Sequence, residues 1–216
     1  MDELRSNAKS LAYVNLFAPL ALMVLSLISL GSIAPRIDGL KWHVLLMTIV
    51  QLIIFIPYFL LWFNFFRSLE NGYESNETMV TAVKMGKAAM IVKILALVIG
   101  TIASITVVAG RGMFVGNVNV DMLGLCPDSG VSFTFKGLSM LSFVLIAVMY
   151  MLFSENTECK SSMKYITIAL SALSIIVFVT ISRNDSSYLW GVVQLGYYLL
   201  EFLFLYRIYK GFEFKS

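Results

Sequence analysis

Six long apolar runs constrain the fold of this chain more than any other feature of its sequence. Each run is about 17 to 26 residues long, and a helix of about 20 residues crosses the ~30 Å hydrocarbon core of a bilayer. The chain is 59% hydrophobic and 13% charged, whereas soluble domains are about 25% charged. The sequence therefore predicts an all-α integral membrane protein, a single six-helix transmembrane bundle. Its spans are expected at residues 11–34, 42–66, 85–110, 137–153, 165–182 and 188–209.

The segments between these runs are short, so residues 1–216 form one predicted domain without a large soluble catalytic module. The longest segment, 111–136, contains two alternating stretches, 115–120 and 131–135, on either side of a cluster of Gly, Pro, Asp and Ser. Alternation around such a turn cluster predicts a short β-hairpin that caps the outer face. A connection of this length is often a lid or a docking loop, and a passive cap is the alternative.

Lysine and arginine residues are distributed unevenly between the two sides of the predicted bundle. One side holds Arg5, Lys9, Arg67, Lys84, Lys87, Lys160, Lys164, Arg207, Lys210 and Lys215. The other side holds Arg36, Lys41, Arg111, Lys136 and Arg183. Because cytoplasmic loops carry the excess of basic residues, both termini are expected in the cytoplasm. The expected location is a bacterial inner (cytoplasmic) membrane, with Trp62 and Tyr150 in the aromatic belt at its inner edge.

Two ionisable residues, Lys93 and Glu201, lie deep inside apolar runs, where a charge is costly and usually functional. Each is six residues from the nearest inner basic residue, Lys87 or Arg207, which is about 9 Å at 1.5 Å per residue. Their equal depth predicts an ion pair between the third and sixth spans. Uncharged amides complete a predicted polar layer near the cytoplasmic side, with Asn15 at the same level and Asn64 about 5 Å shallower by the same rise. Gln51 and Gln194 are expected nearer the outer side.

Three roles for this polar layer stay open. The layer can line a path for a small solute, ion or proton. Alternatively, Lys93 and Glu201 form a buried ion pair that only fixes helix register, or the Lys93 side chain snorkels to the inner headgroups. Two prolines, Pro19 and Pro57, lie about 15 Å from the inner boundary by the same helical rise. Because prolines kink membrane helices, the pair is interpreted either as hinges or as ordinary kinks.

The sequence lacks the residue patterns of common enzyme and cofactor sites. It has one histidine, His43, and two cysteines, Cys126 and Cys159, on opposite sides of the predicted membrane, so a zinc-like cluster cannot form. No phosphate-binding loop or hydrolase motif occurs, and no basic run with interleaved aromatics indicates a nucleic acid. We expect no enzyme activity, cofactor or metal. The expected partners are the lipid bilayer and either a second copy of the chain or another protein.

These features favour a small transport or channel protein that binds or passes a small solute, ion or proton through the polar layer. The alternative is a non-enzymatic membrane sensor or assembly subunit that couples to a cytosolic or membrane partner, such as a component of a bacterial defence or immunity system. The loops distinguish the two hypotheses, because a subunit must expose a docking surface whereas a transporter functions with minimal loops.

Both termini and the connection 68–84 are predicted to be cytoplasmic, and single cysteines test this orientation. In a chain whose Cys126 and Cys159 are replaced by serine, Glu74→Cys should be protected from an impermeant thiol reagent added outside. Asn119→Cys, in the predicted outer loop, should be labelled by the same reagent. The reverse labelling pattern would overturn the assignment.

Overall fold

The structure is a computed structural model that describes residues 1–33, 37–109, 130–158, 161–183 and 188–215. Over these residues the fold is all-helical and contains no strand. The helices are α1 (Asp2–Ile33), α2 (Ile37–Gly72), α3 (Glu77–Ala109), α4 (Gly130–Glu155), α5 (Ser162–Arg183) and α6 (Tyr188–Tyr209). The longest, α2, has 36 residues. At 1.5 Å per residue it is about 54 Å long, so it exceeds a ~30 Å hydrocarbon core.

The six helices pack in chain order around a ring. Each helix contacts the helices before and after it in the chain, and α6 closes the ring by packing against α1. Across the described ranges, no other pair of helix backbones is in contact. Side chains that point inward from different helices therefore meet inside the ring, where they connect helices that are not neighbours.

The outer surface of the ring is apolar, which suits a surface in contact with lipid. Exposed aliphatic residues recur every three or four positions along α2, at Leu46, Ile49, Ile53, Ile56 and Leu60. The opposite face of the same helix is buried and aromatic, with Tyr58, Trp62 and Phe65. In the part of the chain that the structure describes, four helical segments are long and apolar enough to cross a membrane. They are Leu52–Gly72, Glu77–Ile102, Gly137–Glu155 and Ser162–Thr180.

Both chain termini lie at one end of the ring, which we call the tail end. Helix α6 stops there in a Schellman motif, in which the N–H groups of Gly211 and Phe212 donate to the carbonyls of Ile208 and Arg207 at 3.0 Å each. Gly211 has a φ of 97°, a left-handed conformation that glycine adopts at little cost. This reversal directs residues 211–215, called the tail, back across the ring, where Phe214 is buried.

Hydrogen bonds attach the tail to the two turns at this end of the ring. The N–H of Phe214 donates to the Tyr73 hydroxyl at 2.9 Å, and the N–H of Lys215 donates to the Asn156 carbonyl at 3.0 Å. Asn76 donates through Nδ2 to the Lys215 carbonyl and to Oδ1 of Asn156, at 2.9 Å each. Burial raises the pKa of Tyr73, so its hydroxyl stays protonated at neutral pH. The tail thus holds the α2–α3 and α4–α5 turns together.

The predicted β-hairpin in 111–136 is wrong in its second arm. Residues 131–135 belong to α4, which begins at Gly130, while residues 110–129 lie outside the described ranges. Five alternating residues are too few to distinguish a strand from a helix, and in a helix Val131 and Phe135 share one face at i and i+4. The helix therefore extends back from the apolar run that follows it.

The connection at 68–84 is also shorter than the hydrophobic runs predict. Helix α2 continues to Gly72 and α3 begins at Glu77, so only residues 73–76 lie outside helices. The runs end earlier than the helices because apolar composition marks membrane depth, whereas backbone hydrogen bonds extend a helix further along the chain. A salt bridge between Lys87 and Glu70 joins α3 to α2 near this turn.

Gly86 on α3 tests how closely the helices of the ring pack. A Cβ at this position would lie 2.3 Å from Cζ of Phe66 and 2.6 Å from Sδ of Met149. Since Gly86→Ala would force these α2 and α4 side chains to move, it should lower the free energy of unfolding by about 1–3 kcal/mol. Gly196→Ala is the control, because its Cβ meets nothing within 4 Å. Unfolding in detergent measures both variants, and equal stabilities would contradict the packing at Gly86.

Candidate functional site

The carboxyl group of Glu201 lies deep in the interior of the ring. Glu201 is 1% exposed. Oε1 of its carboxyl group accepts hydrogen bonds from the hydroxyls of Tyr150, at 2.8 Å, and Tyr197, at 3.0 Å. Tyr150 belongs to α4, whose described backbone does not contact α6. The Tyr150 hydrogen bond therefore crosses the interior and joins two helices that are not neighbours in the ring.

The register of α6 turns Glu201 inward. Buried positions on this helix recur at Tyr197, Glu201, Phe204, Leu205 and Ile208, which is the three- and four-residue spacing of one helical face. The opposite face carries exposed leucines at Leu195, Leu199 and Leu203. Because side chains four residues apart on a helix are neighbours, the Tyr197 hydroxyl lies within reach of the Glu201 carboxyl group.

Asn15 on α1 is the second polar side chain in this interior. It is 0% exposed, and its side-chain amide interacts with the Glu201 carboxylate. Neither its nitrogen nor its oxygen makes a hydrogen bond of good geometry with a described residue, and the same is true of Oε2 of Glu201. Buried polar atoms are nearly always hydrogen-bonded, so these two side chains form a site whose bonding capacity the described residues do not fill.

A tyrosine from a further helix completes the surroundings of the carboxylate. Tyr58 on α2 is 6% exposed and interacts electrostatically with Glu201. We call the set of Asn15, Tyr58, Tyr150, Tyr197 and Glu201 the polar centre. Its members come from α1, α2, α4 and α6, so the polar centre depends on the whole ring rather than on one pair of helices.

Lys93 on α3 lies at the edge of the polar centre. Its side chain is half-buried, and its Nζ is 5.2 Å from the centroid of the Phe143 ring, a cation–π distance. Lys93 interacts electrostatically with Glu201, but the ion pairs of the described residues within 4.0 Å include no Lys93–Glu201 contact. The ring of Phe143 packs edge-on against Tyr197 at 6.1 Å, so Phe143 contacts both the ammonium group and a tyrosine of the polar centre.

The structure does not bring the other predicted polar residues into this centre. Asn64 has an exposed side chain, and its backbone carbonyl accepts from Oγ of Ser68 at 3.0 Å. Pro57 lies inside α2 with an exposed side chain. Three further candidates lie within helices, but their side chains are outside the described part of the structure: Pro19, Gln51 and Gln194.

Sequence analysis missed the tyrosines of the polar centre. Tyr150 and Trp62 were assigned to an aromatic belt at the membrane edge, which is wrong because both residues are 0% exposed. The four-residue spacing between Tyr197 and Glu201 could have identified Tyr197 as a neighbour. No local signal could have identified Tyr150, since it lies 51 positions from Glu201 in the sequence.

The chemistry of the polar centre is that of a hydrogen-bonded carboxylate in an aromatic surrounding. Oε1 has two hydroxyl donors, while Oε2 and the Asn15 amide keep unused capacity to accept and to donate. Among the described residues, no group of three or more His, Cys, Asp or Glu side chains could hold a metal ion. The arrangement suits a ligand that bonds to one carboxylate oxygen and one amide, such as a proton or a small cation.

Removing either tyrosine hydroxyl should destabilise the protein through Glu201. Tyr150→Phe and Tyr197→Phe should each lower the free energy of unfolding by about 1.5–3 kcal/mol, because each removes a hydrogen bond to a charged group. Tyr165→Phe is the control, since Tyr165 is 67% exposed. In a double-mutant cycle, Tyr150→Phe and Glu201→Gln should show a coupling of about 0.5–3 kcal/mol. Additive effects of these two changes would contradict the hydrogen bond.

Comparisons of the chain with protein-family models, with curated proteins and with solved structures found no match.

Proposed function

We propose that this chain is a small membrane transport protein that binds or passes a small ion, proton or solute through its polar centre. The observation that carries the proposal is the buried Glu201 carboxylate. Tyrosines from two helices donate to one of its oxygens, the other oxygen has no hydrogen-bond partner of good geometry among the described residues, and the buried Asn15 amide interacts with the same carboxylate. A carboxylate in a surrounding of this kind is costly and is commonly part of an ion or proton path.

The position of Lys93 supports a transport role over a purely structural one. A buried ion pair that only fixed helix register would be expected to hold both charges in direct contact with good geometry. Lys93 instead lies against Phe143, and Glu201 takes its hydrogen bonds from tyrosines. The carboxylate can therefore change partners without a direct salt bridge being broken.

We place the protein in a bacterial inner membrane, with six spans and both termini in the cytoplasm. Arg5 in α1 forms an ion pair with Glu213 in the tail, with 3.3 Å between Nη2 and Oε1, so the two ends of the described chain lie on the same side of the ring. Basic residues near the same end include Lys9, Lys210 and Lys215, as expected for a cytoplasmic side. The polar centre then lies toward that side of the bilayer, separated from it by the tail.

The tail end also supports a second candidate, a non-enzymatic sensor or assembly subunit. The tail, the α2–α3 turn and the α4–α5 turn form one hydrogen-bonded surface, on which Glu74, Glu213 and Lys215 are exposed. A surface of this kind could dock a cytosolic protein or a second copy of the chain. The two candidates differ in one respect, because only a transporter should move its ligand when it is purified and reconstituted alone.

Reconstitution in liposomes tests the transport proposal. Gradients of monovalent cations are applied across the liposome membrane, and a proton-sensitive dye reports the flux. The wild-type protein should give a flux, and Glu201→Gln should reduce it to the level of empty liposomes. Glu74→Gln is the matched control, since it removes an exposed carboxylate from the α2–α3 turn and should leave the flux unchanged. Flux that survives Glu201→Gln, or no flux from the wild-type protein, would contradict the proposal and favour the subunit.

The role of Lys93 is tested by combining changes at both charges. Lys93→Met alone should lower the stability in detergent, because it leaves the Glu201 charge without its electrostatic partner. Lys93→Met combined with Glu201→Gln should recover much of that loss. A stable but inactive double variant would support the path, whereas a stable and active one would leave only a role in helix register. Simple addition of the two single effects would contradict any coupling between the residues.

A further inference from the structure

The two oxygens of the Glu201 carboxyl group have different surroundings. Oε1 already accepts from two tyrosine hydroxyls, at 2.8 and 3.0 Å. Oε2 is buried and has no hydrogen-bond partner of good geometry among the described residues. The same holds for the nitrogen and the oxygen of the Asn15 amide, which interacts with this carboxyl group. A proton can therefore bind this carboxyl group at Oε2, which accepts no hydrogen bond of good geometry from the described residues. Asn15 is the neighbouring side chain with unused bonding capacity.

We propose that Oε2 of Glu201 and the side-chain amide of Asn15 form one proton-binding site. When the carboxyl group is protonated, the new O–H bond is on Oε2, and this hydroxyl donates to Oδ1 of Asn15. When the proton leaves, Asn15 turns its amide so that Nδ2 donates to the ionised Oε2. The proposal extends the proposed transport function by naming the proton as the ligand. The proton site itself does not require transport, because a protein that transports nothing can hold the same site.

An asparagine is suited to this role because its amide carries an acceptor and two donors at positions that exchange on rotation. A carboxylic acid needs an acceptor for its hydroxyl, whereas a carboxylate needs donors for its oxygens. One rotation of the amide satisfies each state in turn, so neither state of Glu201 leaves Oε2 without a partner. The tyrosine hydroxyls can remain in place, since Oε1 accepts their bonds in both states.

The other titratable groups that face the carboxyl group come from four helices. Lys93 on α3 supplies a nearby cation. The remaining groups are tyrosine hydroxyls on α2, α4 and α6: Tyr58, Tyr150, Tyr197 and Tyr198. Asn15 from α1 does not titrate. Lys93 and Glu201 are the acid–base pair of this interior, and a carboxylic acid signal reports the proton on Glu201 alone.

Infrared difference spectroscopy of the purified protein in detergent tests the site without a transport assay. Steps of pH should produce a C=O band of a protonated carboxylic acid that is lost in Glu201→Gln. A side-chain amide C=O band should change over the same pH range, because the Asn15 carbonyl gains a hydrogen bond when Oε2 is protonated. The amide band should disappear in both Glu201→Gln and Asn15→Leu.

Asn15→Leu should also move the titration of the carboxyl band to higher pH, by about one pH unit. The ionised form loses the stronger of the two hydrogen bonds, since bonds to charged groups exceed those between neutral groups. Asn15→Ser can both donate and accept, so it should titrate closer to the wild type. Asn64→Leu, at an exposed asparagine, is the matched control and should leave both bands unchanged.

Two results would overturn the proposal. One is a wild-type amide band that does not titrate together with the carboxyl band. This result can be observed in the wild-type protein alone. The other is a carboxyl band whose titration is the same in the wild type, Asn15→Ser and Asn15→Leu. If the bands behave as expected while reconstituted protein shows no flux, the proton site stands and the transport function fails.

Discussion

The hydrogen bond from Tyr150 to Glu201 is the interaction on which the interior of this protein depends. A carboxylate removed from water is costly unless its oxygens find donors, and the nearest helices on either side of α6 do not supply the bond that Tyr150 makes. Helix α4 reaches across the ring to do so. The same contact brings the Tyr150 ring to 5.3 Å from Phe204, so polar and aromatic contacts together join two helices that are not neighbours in the ring.

Aromatic packing separates the polar centre from the tail end. Phe153 on α4 and Phe204 on α6 are stacked at 5.7 Å, and Phe214 of the tail lies against both, at 5.3 and 6.4 Å. Phe214 reaches this position because the chain reverses at Gly211. The rings of Phe153, Phe204 and Phe214 therefore form one aromatic layer, which the tail completes at this end of the ring.

The sequence was sufficient to predict the helices but not which residues meet inside the ring. Hydropathy identifies apolar helices because the energetic cost of polar groups in lipid is large, and depth along a helix follows from its rise. Depth alone placed Asn64 in one polar layer with Glu201, about 5 Å shallower, yet Asn64 is exposed while Asn15 is buried. The helices are apolar on both their lipid and their interior faces, so no amphipathic pattern distinguishes the two directions. The partnership of Tyr150 with Glu201 depends on the ring being closed, which no local pattern encodes.

The separation of Lys93 from Glu201 bears on how the interior tolerates a change of charge. In a direct ion pair, protonation of the carboxylate would leave a buried ammonium group without its partner. Here the ammonium group lies over Phe143, and the attraction of a cation to an aromatic face does not depend on the state of a carboxylate. Lys93 and Glu201 still interact electrostatically, so a proton gained by Glu201 removes part of the attraction that stabilises the ammonium group. The contact with Phe143 remains in both states of the carboxyl group, whereas an ion pair in direct contact would lose its whole interaction.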